Sequence, residues 1–266
     1  MLTLIRRAYW GVTVLSGVLL AQPLRAADMV SPVTPDLKPV VTEQGWTYSI
    51  APYFWAAGLS GDVTQFGLPT VHLDASFGDI LKNLDFAAMA VAEARHDRYS
   101  VFGDLMYVKI STGRGTSRGV IANDVDVSSE TFSGLIGAGY SVFQGDAGYL
   151  DIVGGMRVWS VNTDIGFHGG ILDGVSASDG ATWVDGLVGL RANYSLTPEV
   201  YLTGWSMVGA GGADVDWDVA AALGYRFNER FSALAGYRAL GVNYSNNGFE
   251  FDVVQQGPIM GLVMHF

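Results

Sequence analysis

The sequence predicts an all-β protein: a single antiparallel transmembrane β-barrel of about ten strands (eight to twelve), with short periplasmic turns and longer extracellular loops. Three observations carry this. The 266 residues are 49% hydrophobic, with a mean hydropathy of +0.26, yet only 15% are charged where about 25% is usual. No run of about 18 apolar residues follows the N-terminus, which excludes helical spans. From Trp46 onward the apolar residues recur at period two, the spacing of a strand with one apolar face. The apolar and aromatic content also excludes a disordered chain.

The chain opens with an address. Residues 1–26 have the order of a signal peptide: Arg6-Arg7, then a 14-residue apolar stretch from Ala8 to Ala21, then small residues at Ala26-Ala27. Residues 27–45 hold Pro32, Pro35 and Pro39 and read as an extended periplasmic linker. Removing the leader with Arg6, Arg7 and Arg25 takes the net charge from −11 to near −14, which leaves no basic footprint for nucleic acid. Cysteine is absent, so disulfides and thiolate chemistry are excluded.

Residues 46–266 are read as the barrel. The clearest segment is Trp217 to Asn228. Trp217, Val219, Ala221, Leu223, Tyr225 and Phe227 share one face, and Asp218, Ala220, Ala222, Gly224, Arg226 and Asn228 the other. A soluble sandwich strand would bury its apolar face; here the second face carries small residues and charges, as in a narrow barrel with a polar interior. The same pattern gives strands over about 47–58, 85–95, 99–110, 129–143, 149–162, 183–194, 200–208, 215–227, 231–244 and 249–266, each long enough to cross a bilayer at a tilt. An even count closes the ring and removes the edges that lipid cannot satisfy.

Connection lengths alternate, as barrel topology requires. Asp97-Arg98, Gln144–Ala147, Leu196–Glu199 and Asn228–Arg230 are short; Leu59–Leu84, Ser111–Ser128 and Thr163–Thr182 are long, with Gly209–Asp214 and Ser245–Gly248 the shorter members of this second set. Within the first long loop, Ser76 can cap a short helix with Phe77, Ile80, Leu81 and Leu84 on one side. It is read as a lid or partial plug, or else as a cluster on the barrel rim. Asn247-Gly248 predicts the turn of the last hairpin, because both residues tolerate positive φ. That register sets Arg238 opposite Gly257.

Three segments near the C-terminus carry a resemblance: Trp217 with the GYRF of Gly224–Phe227, Leu234 with the GYRAL of Gly236–Leu240, and GPIMGLVMHF from Gly257 to Phe266. With the earlier APYFWAAGLSGDV, EARHDRYSVFGDLMYV and TWVDGLVGLRANY, they resemble a group of Gram-negative outer-membrane β-barrel proteins, small OmpA-like and porin-like barrels, over residues 46–266. Two departures stand out: Ala235 alone separates Leu234 from Gly236, and Trp205 follows Gly204 where the group's pattern expects Asp. The resemblance implies an outer-membrane location after export. It also implies that Phe266, ending a strand whose Met260, Leu262 and Met264 point outward, is the signal read by the barrel-insertion machinery. Implied partners are periplasmic chaperones during assembly, and outer-membrane lipid and lipopolysaccharide afterwards. The oligomeric state is left open.

The inward face collects Glu93, Arg95, Asp104, Asp151, Arg157, Asp185, Arg191, Asp218, Arg226 and Arg238. In a narrow lumen such charges must pair. Arg157 and Asp151 lie six apart on one strand and Asp185 and Arg191 six apart on the next. One antiparallel register therefore opposes Arg157 to Asp185 and Asp151 to Arg191 together, close enough for contact. The set is either a salt-bridge ladder that plugs the barrel or the lining of a narrow polar pore. No metal-ligand or phosphate-loop spacing appears, and no cofactor is expected. His96 and His265 fall at the periplasmic end; His72 and His168 lie on long loops without a nucleophile–base motif. The leading expectation is a structural, surface-exposed barrel serving envelope integrity or adhesion. A narrow channel for small polar solutes is second, and an outer-membrane lipid A- or peptide-modifying enzyme third.

Overall fold

The computed structural model describes residues 45–115 and 124–266. The leader and linker read from the sequence lie outside the described residues, apart from Gly45, as does part of the 111–128 loop. Period-two alternation becomes twelve strands: β1 (Thr47–Trp55), β2 (Gly58–Thr64), β3 (Val71–Ala75), β4 (Leu84–His96), β5 (Tyr99–Gly115), β6 (Asp124–Gly145), β7 (Gly148–His168), β8 (Ser176–Ser195), β9 (Val200–Gly211), β10 (Val215–Arg226), β11 (Phe231–Asn246) and β12 (Phe249–His265). Ten of them, β1 and β4 to β12, form an antiparallel ring that closes where β1 pairs with β12. Closure pairs the backbone polar groups around the ring, which is what lets a sheet cross lipid.

Outward residues form an apolar belt: Leu105, Ile136, Met156, Val188, Leu223 and Met260 are all exposed. Below it, on the side of the short turns, Tyr48, Tyr99, Tyr140, Tyr194 and Tyr225 are likewise exposed, in the place of an interfacial aromatic girdle. Inward residues fill the lumen with Trp55, Phe102, Leu135, Trp159, Leu187 and Met207. Strands β6, β7 and β8 run 22, 21 and 20 residues. A membrane crossing needs about 9–11, so this side of the wall stands well above the bilayer. Its outer surface there carries hydroxyls and carboxylates, such as Ser178 bonded to Asp164 and Ser111 to Ser128.

The expected first strand is split. β1 and β2 run end to end along β12 with a break at Ala56-Ala57, and β2 folds back into β3, a hairpin outside the ring that sequence periodicity did not resolve. The expected helix forms as α1 (Phe77–Lys82), capped by Ser76, whose hydroxyl accepts from the Asp79 N–H at 3.3 Å. A hydrogen bond from that hydroxyl, helped by Lys82, holds the Asp79 carboxyl below its ordinary range. The helix is not a plug. None of its residues is buried, and Phe77 packs edge-on against lipid-facing Phe54 at 5.7 Å. Its apolar side turns to the apolar exterior rather than into a charged lumen. The part of this loop that reaches over the mouth is the β2–β3 turn, where the Phe66 N–H donates to the Asp179 carboxylate on β8.

The last hairpin turns at Asn247 (φ 49°) and Gly248 (φ 85°) and sets Arg238 opposite Gly257, as expected. The reason for glycine differs. A Cβ on Gly257 would collide with the Ala56 carbonyl, where the β1–β2 break presses onto β12.

A ring closed by hydrogen bonds resists detergent until heated. Unheated and boiled samples are expected to migrate differently on a detergent gel, and equal mobility of refolded protein contradicts the ring. Phe266 is 72% exposed and ends the fold with a backbone pair to Tyr48. Its deletion is therefore expected to cut assembly in cells far more than it lowers the melting temperature of protein refolded in detergent.

Candidate functional site

Inward-facing charges on six strands meet in the lumen and sort by height. Nearest the periplasm, Arg95 on β4 donates to Glu93 at 2.9 Å and to buried Asp151 on β7 at 2.5 Å. Its guanidinium stacks 3.6 Å over the Tyr149 ring. Arg191 on β8 crosses to the same Glu93 at 2.8 Å. Glu93, Arg95, Tyr149 and Arg191 line a cavity of about 1010 Å³ that extends to Arg238 and out to His265 and Phe266 at the short-turn end.

Above the cavity a continuous chain of charges bridges the barrel. Arg157 on β7 donates to Asp216 at 2.5 Å and Asp218 at 2.6 Å, both on β10, three strands away around the ring. Arg238 on β11 also takes Asp218, at 2.7 Å, and reaches Asp104 on β5 at 2.6 Å. Its third nitrogen donates to the Tyr53 hydroxyl, which donates in turn to Asp104. Trp159 and Trp205 give their indole N–H groups to Asp216 and Asp218, both at 2.9 Å. Both arginines and both β10 carboxylates are almost wholly buried. Buried ions are tolerable only when their hydrogen-bonding capacity is used, and here Asp218 alone receives from Arg157, Arg238 and Trp205.

Above this lies an aromatic layer. Trp183 stacks on Tyr244 at 4.0 Å and on Trp159 at 6.0 Å, with Phe251 and Phe249 completing it. The charged bridge and the aromatic layer both lie in the barrel's interior at mid-height.

The β7–β8 register is the expected one: Arg157 faces Asp185 and Asp151 faces Arg191. The expected ion pairs do not form. Directly opposed side chains run side by side toward the axis of a narrow lumen, so their ends meet partners on other strands instead. Arg157 goes to Asp216 and Asp218, Asp151 to Arg95, and Arg191 to Glu93. Asp185 is captured by the Ala213 N–H at 2.8 Å. Arg226 also departs from expectation. Among the described residues it meets no carboxylate, donating to the Pro198 carbonyl and the Ser195 hydroxyl near the short turns and stacking on Tyr201.

Sequence reasoning missed Asp216 and Tyr53. Asp216 shares the parity of Asp218 within the expected strand 215–227, so alternation alone could have found it. Tyr53 and the two indoles belong to the apolar inventory, and only the cross-lumen geometry shows their polar ends at work. Trp205, which departs from the family pattern, keeps a polar role through its N–H.

On the extracellular surface two exposed acid–histidine pairs form, His72 with Asp62 at 2.8 Å and His168 with Asp126 at 3.0 Å. Among the described residues no group of three or more metal-ligating side chains converges.

No family model and no curated protein matches the sequence at a significant level. Solved structures do match the fold. The outer membrane protease OmpT from Escherichia coli aligns with a TM-score of 0.50 at 11% identity, over 85% of this chain and 98% of that one. The transport unit of the autotransporter AIDA-I from Escherichia coli aligns at 0.40 and 8% identity, over 88% and 93%. Ail, the attachment invasion locus protein of Yersinia pestis, aligns at 0.36 and 12%, over 84% and 99%. With a closed ring, an apolar outer belt and a charged interior, the chain has the fold of a Gram-negative outer-membrane β-barrel.

Proposed function

We propose that this protein is a structural barrel of the outer membrane, closed to solutes, that stiffens the envelope and presents a tall hydroxyl- and carboxylate-bearing surface outside the cell. One observation carries the reading: the Asp216–Arg157–Asp218–Arg238–Asp104 chain spans the lumen at mid-height, under stacked aromatics. A pore would keep that cross-section wet; here Arg157 and Asp218 are 1% and 0% exposed. The competing channel reading makes the opposite forecast. Refolded protein in a planar bilayer is expected to show no steady conductance, and discrete ohmic steps favour the channel.

A surface hydrolase is a second reading, favoured by the two acid–histidine pairs and by a shared fold with an outer-membrane protease. It requires cleavage of a fluorogenic peptide by intact protein that His72→Ala or His168→Ala abolishes. The structural reading forecasts no cleavage.

The bridge is expected to be a stability element. Breaking a buried pair costs about 3–5 kcal/mol, so Arg157→Ala lowers the unfolding free energy of the refolded barrel, read from urea titration, by that order. Adding Asp216→Ala recovers part of the loss, because it removes a carboxylate left without its arginine. Adding Asp185→Ala recovers nothing. Recovery with Asp185→Ala instead would return the pairing to neighbouring strands.

A further inference from the structure

The lumen below the charged bridge is a pocket in its own right. Its volume, about 1010 Å³, is that of the larger sites that enclose a small organic ligand, which run from about 300 to 1,000 Å³. Arg238, Tyr53 and Trp205 of the bridge close it above, and Thr47, Asn228 and His265 stand at its mouth at the short-turn end.

Two facing walls of this pocket differ in chemistry. In the ring order β12 lies five strands from β7 in either direction, so β11, β12 and β1 face β6, β7 and β8 across the axis. The first wall offers Leu234, Ile259, Val263 and Ala51. The second offers Tyr149 on β7 and Arg191 and Asn193 on β8. A guest with one apolar side and one polar end matches that division.

The sign of the polar end follows from the arginines. A chain of net charge −11 lines this one space with five arginines and two glutamates. Arg95 and Arg238 are answered by the buried carboxylates Asp151, Asp104 and Asp218. Arg191, Arg226 and Arg230 remain, against Glu93 and an exposed Glu229. Glu93 is already shared, since it also takes Arg95. Of the five N–H groups of a guanidinium, Arg191 commits those of Nη2 to Glu93, and its Nη1 has no hydrogen-bond partner among the described residues. Arg226 donates to a carbonyl and a hydroxyl, neither of which balances its charge. Under-used guanidinium groups in a confined space are costly, and a planar anion that brings further acceptors relieves that cost.

We propose that the pocket is a binding site, entered from the short-turn side, for a small amphipathic carboxylate. The apolar body lies against Leu234, Ile259 and Val263, the carboxylate is held by Arg191, and Arg226 nearer the mouth draws the anion in. The proposal goes beyond the closed-barrel reading and takes from it only the roof.

The chain has no cysteine, so one placed at Val263, on the apolar wall, reports the pocket through its reaction with charged thiol reagents. In the full barrel refolded in uncharged detergent, Val263→Cys is expected to react about tenfold faster with an anionic methanethiosulfonate than with a cationic one, each rate being divided by that on a free thiol. Adding Arg191→Gln with Arg226→Gln is expected to remove the preference. Arg226→Gln alone leaves Glu93 both of its arginines and is expected to lower the preference in part. Heat-modifiable mobility verifies the fold of each variant. The carboxylate 4-phenylbutanoate is expected to slow the reaction at about one tenth of the concentration needed by 4-phenylbutanamide, the same body without the charge. Val161→Cys, in the aromatic layer above the bridge, is expected to stay unreacted. Its reaction would mean an open lumen and would overturn the closed-barrel reading together with the pocket's roof. Equal normalised rates with the two reagents, a preference that survives both arginine changes, or equal protection by acid and amide overturns the pocket alone.

Discussion

The charged bridge inside this barrel is arranged around the Asp218 carboxylate. Ten strands deliver their inward faces to one narrow space, and a charge buried at its middle must find its partners among the side chains there. Asp218 accepts from two arginines on opposite sides and from an indole N–H. Arg157 and Arg238 then each need a second carboxylate, which Asp216 and Asp104 supply. In this way β5, β7, β10 and β11 are tied across the axis as well as along the wall, with β1 joined through Tyr53. A sheet ladder fixes neighbours only. Cross-lumen bonds fix the barrel's diameter, and a fixed diameter lets Trp183 stack flat on Tyr244 one layer higher.

How much of this was legible in the sequence follows from the range of each interaction. Period two is local, so strand identity, inward parity and the Asn247-Gly248 turn could be read directly. The β7–β8 register was legible because two charge pairs six residues apart admit few alignments. Partner choice was not, because it depends on which side chains converge on the axis from strands three or four places apart. The opposed pair Arg157 and Asp185 shows the difference: neighbours by register, strangers by contact. Strand length was underread for β6, β7 and β8, since above the bilayer the outward face turns polar and the apolar alternation that marks a membrane strand ends. The acid–histidine pairs of the outer surface were invisible for the same reason as the bridge: His168 finds Asp126 through the β6–β7 pairing.

The segment from Pro52 to Ala57 links the lumen to the wall. Tyr53 and Trp55 point inward, where Tyr53 holds Arg238 and Asp104, and the Trp55 indole N–H donates to the Gly257 carbonyl on β12. The Trp55 contact adds to the ladder that keeps β1 on β12. The backbone break that follows presses the Ala56 carbonyl against Gly257, a fit that only a residue without a Cβ permits. β2 then continues along β12 for seven more pairs. β4 has its own long ladder to β5 and follows that strand instead. Since Pro52 cannot donate across the gap, the two halves part where the lumen is most tightly tied. Between them the chain interposes a hairpin and a helix, and the helix sets its apolar side against Phe54 on the outside. The end of the β1–β4 ladder therefore follows from how the strands divide: above Pro52, β1 stays on β12 through its ladder and the Trp55 contact, β4 stays on β5, and the upper edge of β4 is left without a strand partner.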